Sequence, residues 1–227
     1  MIAAIIPAHD EADHIGACLQ SLRVASRSGR LKGETVLVVV VADDCSDTTA
    51  TLASQAGASV LSIQARNVGT ARGLGAQFAL CAGARWLAFT DADSVVGEDW
   101  LADQLALESD AVCGTVAVRH WGNYGARMQQ HFERAYTDAD GHEHIHGANL
   151  GVSASAYLRA GGFKPLASSE DVALVEALRK VGARIAWSAR PRVETSARRA
   201  FRAPRGFGAT LLRVHQEMQH TGTDTSA

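Results

Sequence analysis

The sequence predicts an α/β fold built on a doubly wound, mostly parallel sheet, and three observations predict it. Short apolar runs alternate with segments of helical spacing through the first ninety residues. The strongest run, Val36-Leu-Val-Val-Val-Val41, is continuous rather than alternating, as expected of a parallel strand covered on both faces. Several runs end in carboxylates, and strand exits are where an open α/β sheet binds its ligands.

In chain order, Ile2 to Ile6 reads as a first strand closed by Pro7, which cannot donate to a ladder. A helix is predicted to begin near Asp10, with Ile15, Leu19 and Leu22 at helical spacing. Residues 26–33 form a polar loop, and Val36 to Val41 is the second strand. Its exit, Ala42-Asp43-Asp44-Cys45-Ser46-Asp47-Thr48, leads into a helix from Ala50 to Ala56, stopped by Gly57. Ala58 to Ile63 is a third strand. A helix rich in small residues follows it, ending near Gly83. Trp86 to Thr90 is a fourth strand, emerging into Asp91-Ala92-Asp93.

The second half is less regular. Gly97 to Leu101 opens a helix in which Glu98 and Asp99 read as helix-end charges. Ala111 to Val118 is a further strand. Residues 119–146 are polar with scattered aromatics and are expected to cover a site. Val172 to Lys180 is a helix ending at Gly182, Arg184 to Ser188 a last short strand, and residues 221–227 a polar tail. One domain over 1–215, with halves 1–95 and 96–215 and a flexible tail 216–227, suits a chain of 227 residues.

Composition excludes several classes. With 47% hydrophobic and 20% charged residues, disorder is not the main state, and a net charge of −2 gives no bulk attraction for nucleic acid. Cys18, Cys45, Cys81 and Cys113 show no zinc spacing and read as buried thiols of a reducing cytosol. No apolar stretch approaches a membrane span, and the N-terminus lacks the positive flank of a signal peptide, so a cytoplasmic protein is expected. His142, His144 and His146 alternate but form no His-Glu-x-x-His pattern, so a loop is preferred to a second metal site.

Seven motifs stand in order: Ile5-Ile6-Pro7-Ala8-His9-Asp10-Glu11; Val41-Ala42-Asp43-Asp44-Cys45-Ser46-Asp47; Arg66-Asn67-Val68-Gly69 through Arg72; Asp91-Ala92-Asp93; Gly147-Ala148-Asn149; Gly161-Gly162-Phe163; and Glu170-Asp171. On them the chain resembles a family 2 glycosyltransferase of the GT-A fold over residues 1 to 195. The resemblance implies a Rossmann-like nucleotide-binding half, a mixed acceptor-side region, and transfer of one sugar from a nucleotide-diphosphate donor to a hydroxyl acceptor, with inversion.

It further implies roles by position. Pro7, Ala8, Glu11 and Asp43 or Asp44 would hold base and ribose, and a carboxylate suits that work as an acceptor for base N–H and ribose hydroxyls. Asn67, Arg72 and Ala92 would complete the donor set, with Arg72 on the diphosphate. Asp93, and Asp91 with it, would hold Mn²⁺ or Mg²⁺. Asp171, with Glu170 beside it, would be the general base. His146, Gly147, Asn149, Arg198 and Arg199 would face the acceptor or form a lid.

Each position has a plainer reading. Asp47 and Thr48 suit a helix cap, Arg72 a helix-start arginine, and Glu170-Asp171 an acidic cap supported by Ser168 and Ser169. The family's common pattern has an acidic residue near Thr48; its absence leaves the base open. No Gln-x-x-Arg-Trp motif or membrane helix follows, which favours single addition over polymerisation. The arginines from 198 to 205 suit the diphosphate, a phosphorylated or lipid-linked acceptor, peripheral contact at the inner membrane face, or a solvated basic face. The rival classes are a sugar nucleotidyltransferase, which would open on a Gly-rich loop, and a non-catalytic sugar-nucleotide-binding module.

Overall fold

A computed structural model describes residues 1–118, 121, 124–166, 168–196 and 212–214. The chain divides into two compact units, Met1–Ala117 with Asp138–Thr195, and Val118–Thr137 with Ser196–Ala227. Strands are β1 (Ile2–Ala8), β2 (Val36–Asp43), β3 (Ser59–Ile63), β4 (Trp86–Phe89), β5 (Val95–Val96), β6 (Ala111–Val118), β7 (Leu150–Ser153) and β8 (Ile185–Thr195). Helices are α1 (Ile15–Ala25), α2 (Thr49–Gln55), α3 (Val68–Cys81), α4 (Trp100–Ala106), α5 (Gly125–Ala135), α6 (Ala154–Ala160) and α7 (Glu170–Lys180).

The strands form an eight-stranded sheet in the order β3-β2-β1-β4-β7-β6-β8-β5. β3, β2, β1 and β4 run parallel, whereas β7 is antiparallel to both β4 and β6, and β5 to β8. The sheet is therefore doubly wound and parallel in its first half and mixed in its second. Ala3, Ile5, Val39 and Val41 share a core with Ala71, Ala76 and Ala79 of α3 and Leu174, Val175 and Leu178 of α7. The alternate residues Ile2, Ala4, Ile6 and Val40 are also fully buried and point to the opposite face. Covering both faces is what makes these runs continuous in apolar character.

Four expectations need correcting, and one segment to which the sequence assigns no element contains a helix. β1 runs through Pro7 to Ala8. Its pairing with β4 ends at Ile5, so the proline stands where only β2 lies beside it and no ladder on the β4 side needs its missing N–H. The first helix starts at Ile15, because Asp10 adopts a left-handed φ of 48° in the preceding loop. β8 extends to Thr195 rather than stopping at Ser188. Cys18 and Cys113 are buried, but Cys45 is half-exposed and Cys81 exposed. Residues 119–146 contain a helix, α5, in the second unit, where Tyr124 and Met128 are buried against Val118, Trp121, Phe132 and Val214.

β7 and α6 are short elements to which the sequence reading assigns no strand or helix. β7 contains Gly151, where a Cβ would lie 2.4 Å from Gln104 Oε1 and 2.7 Å from the Trp86 ring. α6 is capped by the Ser153 hydroxyl, which accepts from Ala156 N–H, and it ends at Gly161 with φ 78°.

Candidate functional site

Parallel register brings the ends of β1 and β2 to one edge, with Ala8 opposite Ala42, and β4 leaves the sheet beside them after Phe89. The predicted donor residues occupy the loops that follow. Many of their polar groups are already committed to the fold. Asp43, 5% exposed, accepts from the backbone N–H of Ala65 (2.7 Å), Arg66 (2.9 Å) and Asn67 (2.8 Å). It organises the β3–α3 loop. Asn67 caps α3, its Oδ1 accepting from Thr70 N–H at 2.8 Å and its Nδ2 donating to Leu166 O at 3.1 Å. Glu11 is buried, with its backbone N–H donating to the Thr49 hydroxyl; Ala8 and Ala92 are buried and Pro7 half-exposed.

Asp44 differs. It is half-exposed at φ 53°, ion-paired with Arg66, and lines a cavity of about 450 Å³ with Ala42, Cys45, Ala50, Ser62, Ile63 and Gln64. This cleft opens at the ends of β2 and β3. Asp47 takes the capping role expected of it, its Oδ1 accepting from Thr49 N–H at 2.9 Å; Thr48 makes no side-chain cap bond.

At the β4 exit, Thr90 and Ala92 are buried while Asp91 and Asp93 stay partly exposed. The Cys18 thiol donates to Asp91 O at 3.4 Å. Burial first, and then the charges of Asp91 and Asp93, push that thiol's pKa far up. Both carboxylates therefore project negative potential into this corner.

Arg72 joins the two halves of the predicted site. Only 3% exposed, it donates from Nη2 to Asp91 Oδ1 at 2.5 Å and from Nη1 to Glu170 Oε1. Burial alone would lower its pKa, but the fields of Asp91, Glu170 and Asp171 outweigh burial and hold it above the ordinary value. Glu170 shows the reverse balance: burial raises its pKa and Arg72 pulls it only part of the way back. Asp171, next on α7, is half-exposed, and its Oδ2 accepts from Gly147 N–H at 2.8 Å. Of the acidic cap expected here, Asp171 makes its part, Oδ1 accepting from Val172 N–H at 2.8 Å, whereas Ser169 stands at the N-cap with φ 60° and makes no side-chain cap bond.

Gly147 is packed against the Arg72 guanidinium, where a Cβ would meet Nη1 at 2.2 Å and Cζ at 2.4 Å. Asn149, expected on the acceptor side, is instead a sealed anchor. It accepts from Trp100 Nε1 at 2.8 Å and donates to the carbonyls of Thr115 and Pro191, both at 2.7 Å. Arg198 and Arg199 lie outside the described residues.

The histidine stretch is extended enough to stack its rings, with centroids 5.4 Å apart for His142 and His144 and 5.9 Å for His144 and His146. His142 Nδ1 accepts from His144 N–H, which leaves the proton on a buried Nε2. Burial of the His146 ring, reinforced by His144 and His142 against the pull of Asp171, lowers its pKa to about 4. Between about pH 6.5 and 4 the unfolded chain thus binds a proton at this histidine that the fold rejects, so stability rises with pH across that window. Melting curves at pH 4.5 and 7 should differ less for His146→Gln than for the native protein.

Among the described residues, the convergence of three metal-ligand-type side chains is Asp10, Cys45 and Asp47, not a group built on Asp91 and Asp93. Asp10 Oδ1 accepts from the N–H of Ser46 at 2.6 Å and Asp47 at 3.2 Å, so this cluster is a loop network. The sequence offered no sign of the Arg72–Glu170 pair, whose partners stand 98 residues apart.

A model of the family described as glycosyl transferase family 2 matches residues 3–161. No curated protein matches the sequence. Among solved structures, the chain is similar to S. aureus TarS 1-349 in complex with UDP-GlcNAc, with TM-score 0.68 at 15% identity over 94% of this chain and 65% of that one. It is also similar to the mannosyltransferase PcManGT from Pyrobaculum calidifontis in complex with GDP-Man and Mn²⁺, with TM-score 0.63 at 18% identity over 100% of this chain and 65% of that one. A mycobacterial protein gives TM-score 0.60 at 17% identity, over 95% and 74%. At such identities the likeness is one of fold, and the chain spans just under two thirds of the first two proteins.

Proposed function

We infer that this chain, which belongs to glycosyl transferase family 2 and has the GT-A fold, transfers one sugar from a nucleoside diphosphate donor to a hydroxyl acceptor with inversion. The observation that carries the reading is the Arg72 bridge, which joins the strand-exit carboxylate Asp91 to Glu170, the neighbour of Asp171. Motifs that are far apart in sequence meet at one buried cation.

The cleft beside Asp44 suits the nucleoside: it lies at strand ends and carries a half-exposed carboxylate able to accept base or ribose hydrogens. The corner formed by Asp93 and Asp91 fits Mn²⁺ or Mg²⁺, since it offers hard oxygen donors, partial exposure and a net negative field felt at Cys18. Such a cation would neutralise the departing diphosphate. PcManGT was solved with Mn²⁺, which supports that choice.

Asp171 is the group for the acceptor. Its carboxylate removes the hydroxyl proton as the acceptor oxygen bonds to the anomeric carbon and the bond from that carbon to the diphosphate oxygen breaks. The Gly147 N–H fixes one carboxylate oxygen for this task, and His146, neutral above about pH 4, flanks it. No helix among the described residues is long and apolar enough to cross a membrane; peripheral attachment through Arg198 and Arg199 at a cytoplasmic membrane face, with a phosphorylated or lipid-linked acceptor, belongs to the same proposal.

Thermal melting with uridine and guanosine diphosphates, with and without Mn²⁺, tests the donor side. One of them at ~100 times its dissociation constant should add ~2.7 kcal/mol only when the metal is present. Release of nucleoside diphosphate during turnover is expected; release of pyrophosphate would identify a nucleotidyltransferase instead.

A further inference from the structure

Resting on the transfer reading above, we propose that Arg72 is a positioning residue, a lock between the donor-side carboxylate Asp91 and the base-bearing turn at Glu170-Asp171, rather than a ligand of the donor's diphosphate. The first ground is commitment. A phosphate-binding arginine presents a fork of N–H donors to its ligand. Here Nη1 is given to Glu170 and Nη2 to Asp91, within a residue only 3% exposed, and the remaining Nε is itself buried, without a partner and shut off from solvent. Gly147 covers the guanidinium at contact distance, and the Phe163 ring centroid lies 5.8 Å from Cζ.

The second ground is charge. Two carboxylates already share this cation, and Asp171 adds its field to theirs. A diphosphate drawn to Arg72 would have to displace either the buried Glu170, which is costly inside a protein, or the partly exposed Asp91, whose own negative charge already fills that side of the guanidinium.

The third ground is leverage on Asp171. α7 begins at Glu170, and its N-cap Ser169 makes no side-chain cap bond; the local fastening of this first turn is Asp171 itself, whose Oδ1 accepts from Val172 N–H at 2.8 Å, so the base and the helix start move together. The Arg72–Glu170 pair fastens it from α3. The same guanidinium supports Gly147, whose N–H holds Asp171 Oδ2 at 2.8 Å. Arg72 thus touches both residues that fix the base and also the carboxylate that opens the donor corner.

The test separates binding from turnover. For Arg72→Met, calorimetry with a nucleoside diphosphate and Mn²⁺ should give a dissociation constant within about threefold of the native value. Its kcat should fall about 10²-fold, the scale expected when a reacting group is displaced by about an ångström. Arg72→Lys keeps the charge but cannot fork to two carboxylates, so it should recover only part of kcat. Glu170→Gln loosens the lock from its other end without touching the donor, and should lower kcat with the donor KM unchanged even if the Arg72 variants fail to fold.

Weakening of nucleoside diphosphate binding by about tenfold or more in Arg72→Met, with kcat preserved, would overturn the lock. So would native kcat in Glu170→Gln. Native protein that binds no nucleoside diphosphate would overturn the transfer reading beneath it, an outcome that either pattern in the variants cannot produce.

Discussion

Asp171→Asn is expected to slow sugar transfer by about 10²–10⁴-fold, the contribution of a positioned general base. The substitution is nearly isosteric, but Oδ2 now accepts from Gly147 N–H and Oδ1 from Val172 N–H, both at 2.8 Å, and the single oxygen of Asn can keep only one of these bonds. Stability should fall by about 1 kcal/mol for the lost bond while the variant still folds and binds nucleoside diphosphate, and the failure of the chemical step is read directly by single-turnover measurement with saturating donor. Retention of a tenth of native turnover or more would remove Asp171 from the role.

Gly147→Ala is the second large effect. Its methyl carbon would stand 2.2 Å from Arg72 Nη1 and 2.4 Å from Cζ. That guanidinium cannot retreat without parting from Asp91 and Glu170. Overpacking typically costs 1–3 kcal/mol, and breaking a buried ion pair 3–5 kcal/mol. A loss of about 3 kcal/mol would lower the melting temperature by about 6–12 °C in a chain of this size. Gly29→Ala is the control, since a Cβ there meets nothing within 4 Å. If both variants melt alike, the packing argument is wrong.

The first half of the fold was legible because buried parallel strands are written as continuous apolar runs and end in recognisable polar loops. β6 fell at Ala111–Val118 as expected because, although antiparallel to β7, it is buried along its first six residues and so reads as a continuous run too. β8 was cut short because past Ser188 it alternates, turning Arg190 and Arg192 outward and Pro191, Val193 and Thr195 inward, which reads locally as a basic loop. β7 was hidden by its glycine.

At the strand exits, the loops were legible in the sequence but not the use of each side chain. Asp43, Asn67 and Asn149 look like ligand-binding groups in sequence, yet their hydrogen bonds go to the protein's own chain. A carboxylate that organises a loop and one that faces a ligand carry the same letter. Asp44, beside Asp43, is the one that lines the cleft. Likewise, the meeting of Arg72 with Glu170 is a product of tertiary folding, and no periodicity announces it.

The charge balance around Arg72 also bears on how such a protein can diverge. An arginine, two acids and a glycine, recruited from four separate segments, depend on one another for charge and for space, so a change at one alters what its neighbours can tolerate. Substitution at one of these positions should survive in descendants only beside a matching change at another, and aligned relatives should show positions 72, 91, 147 and 170 drifting as a group.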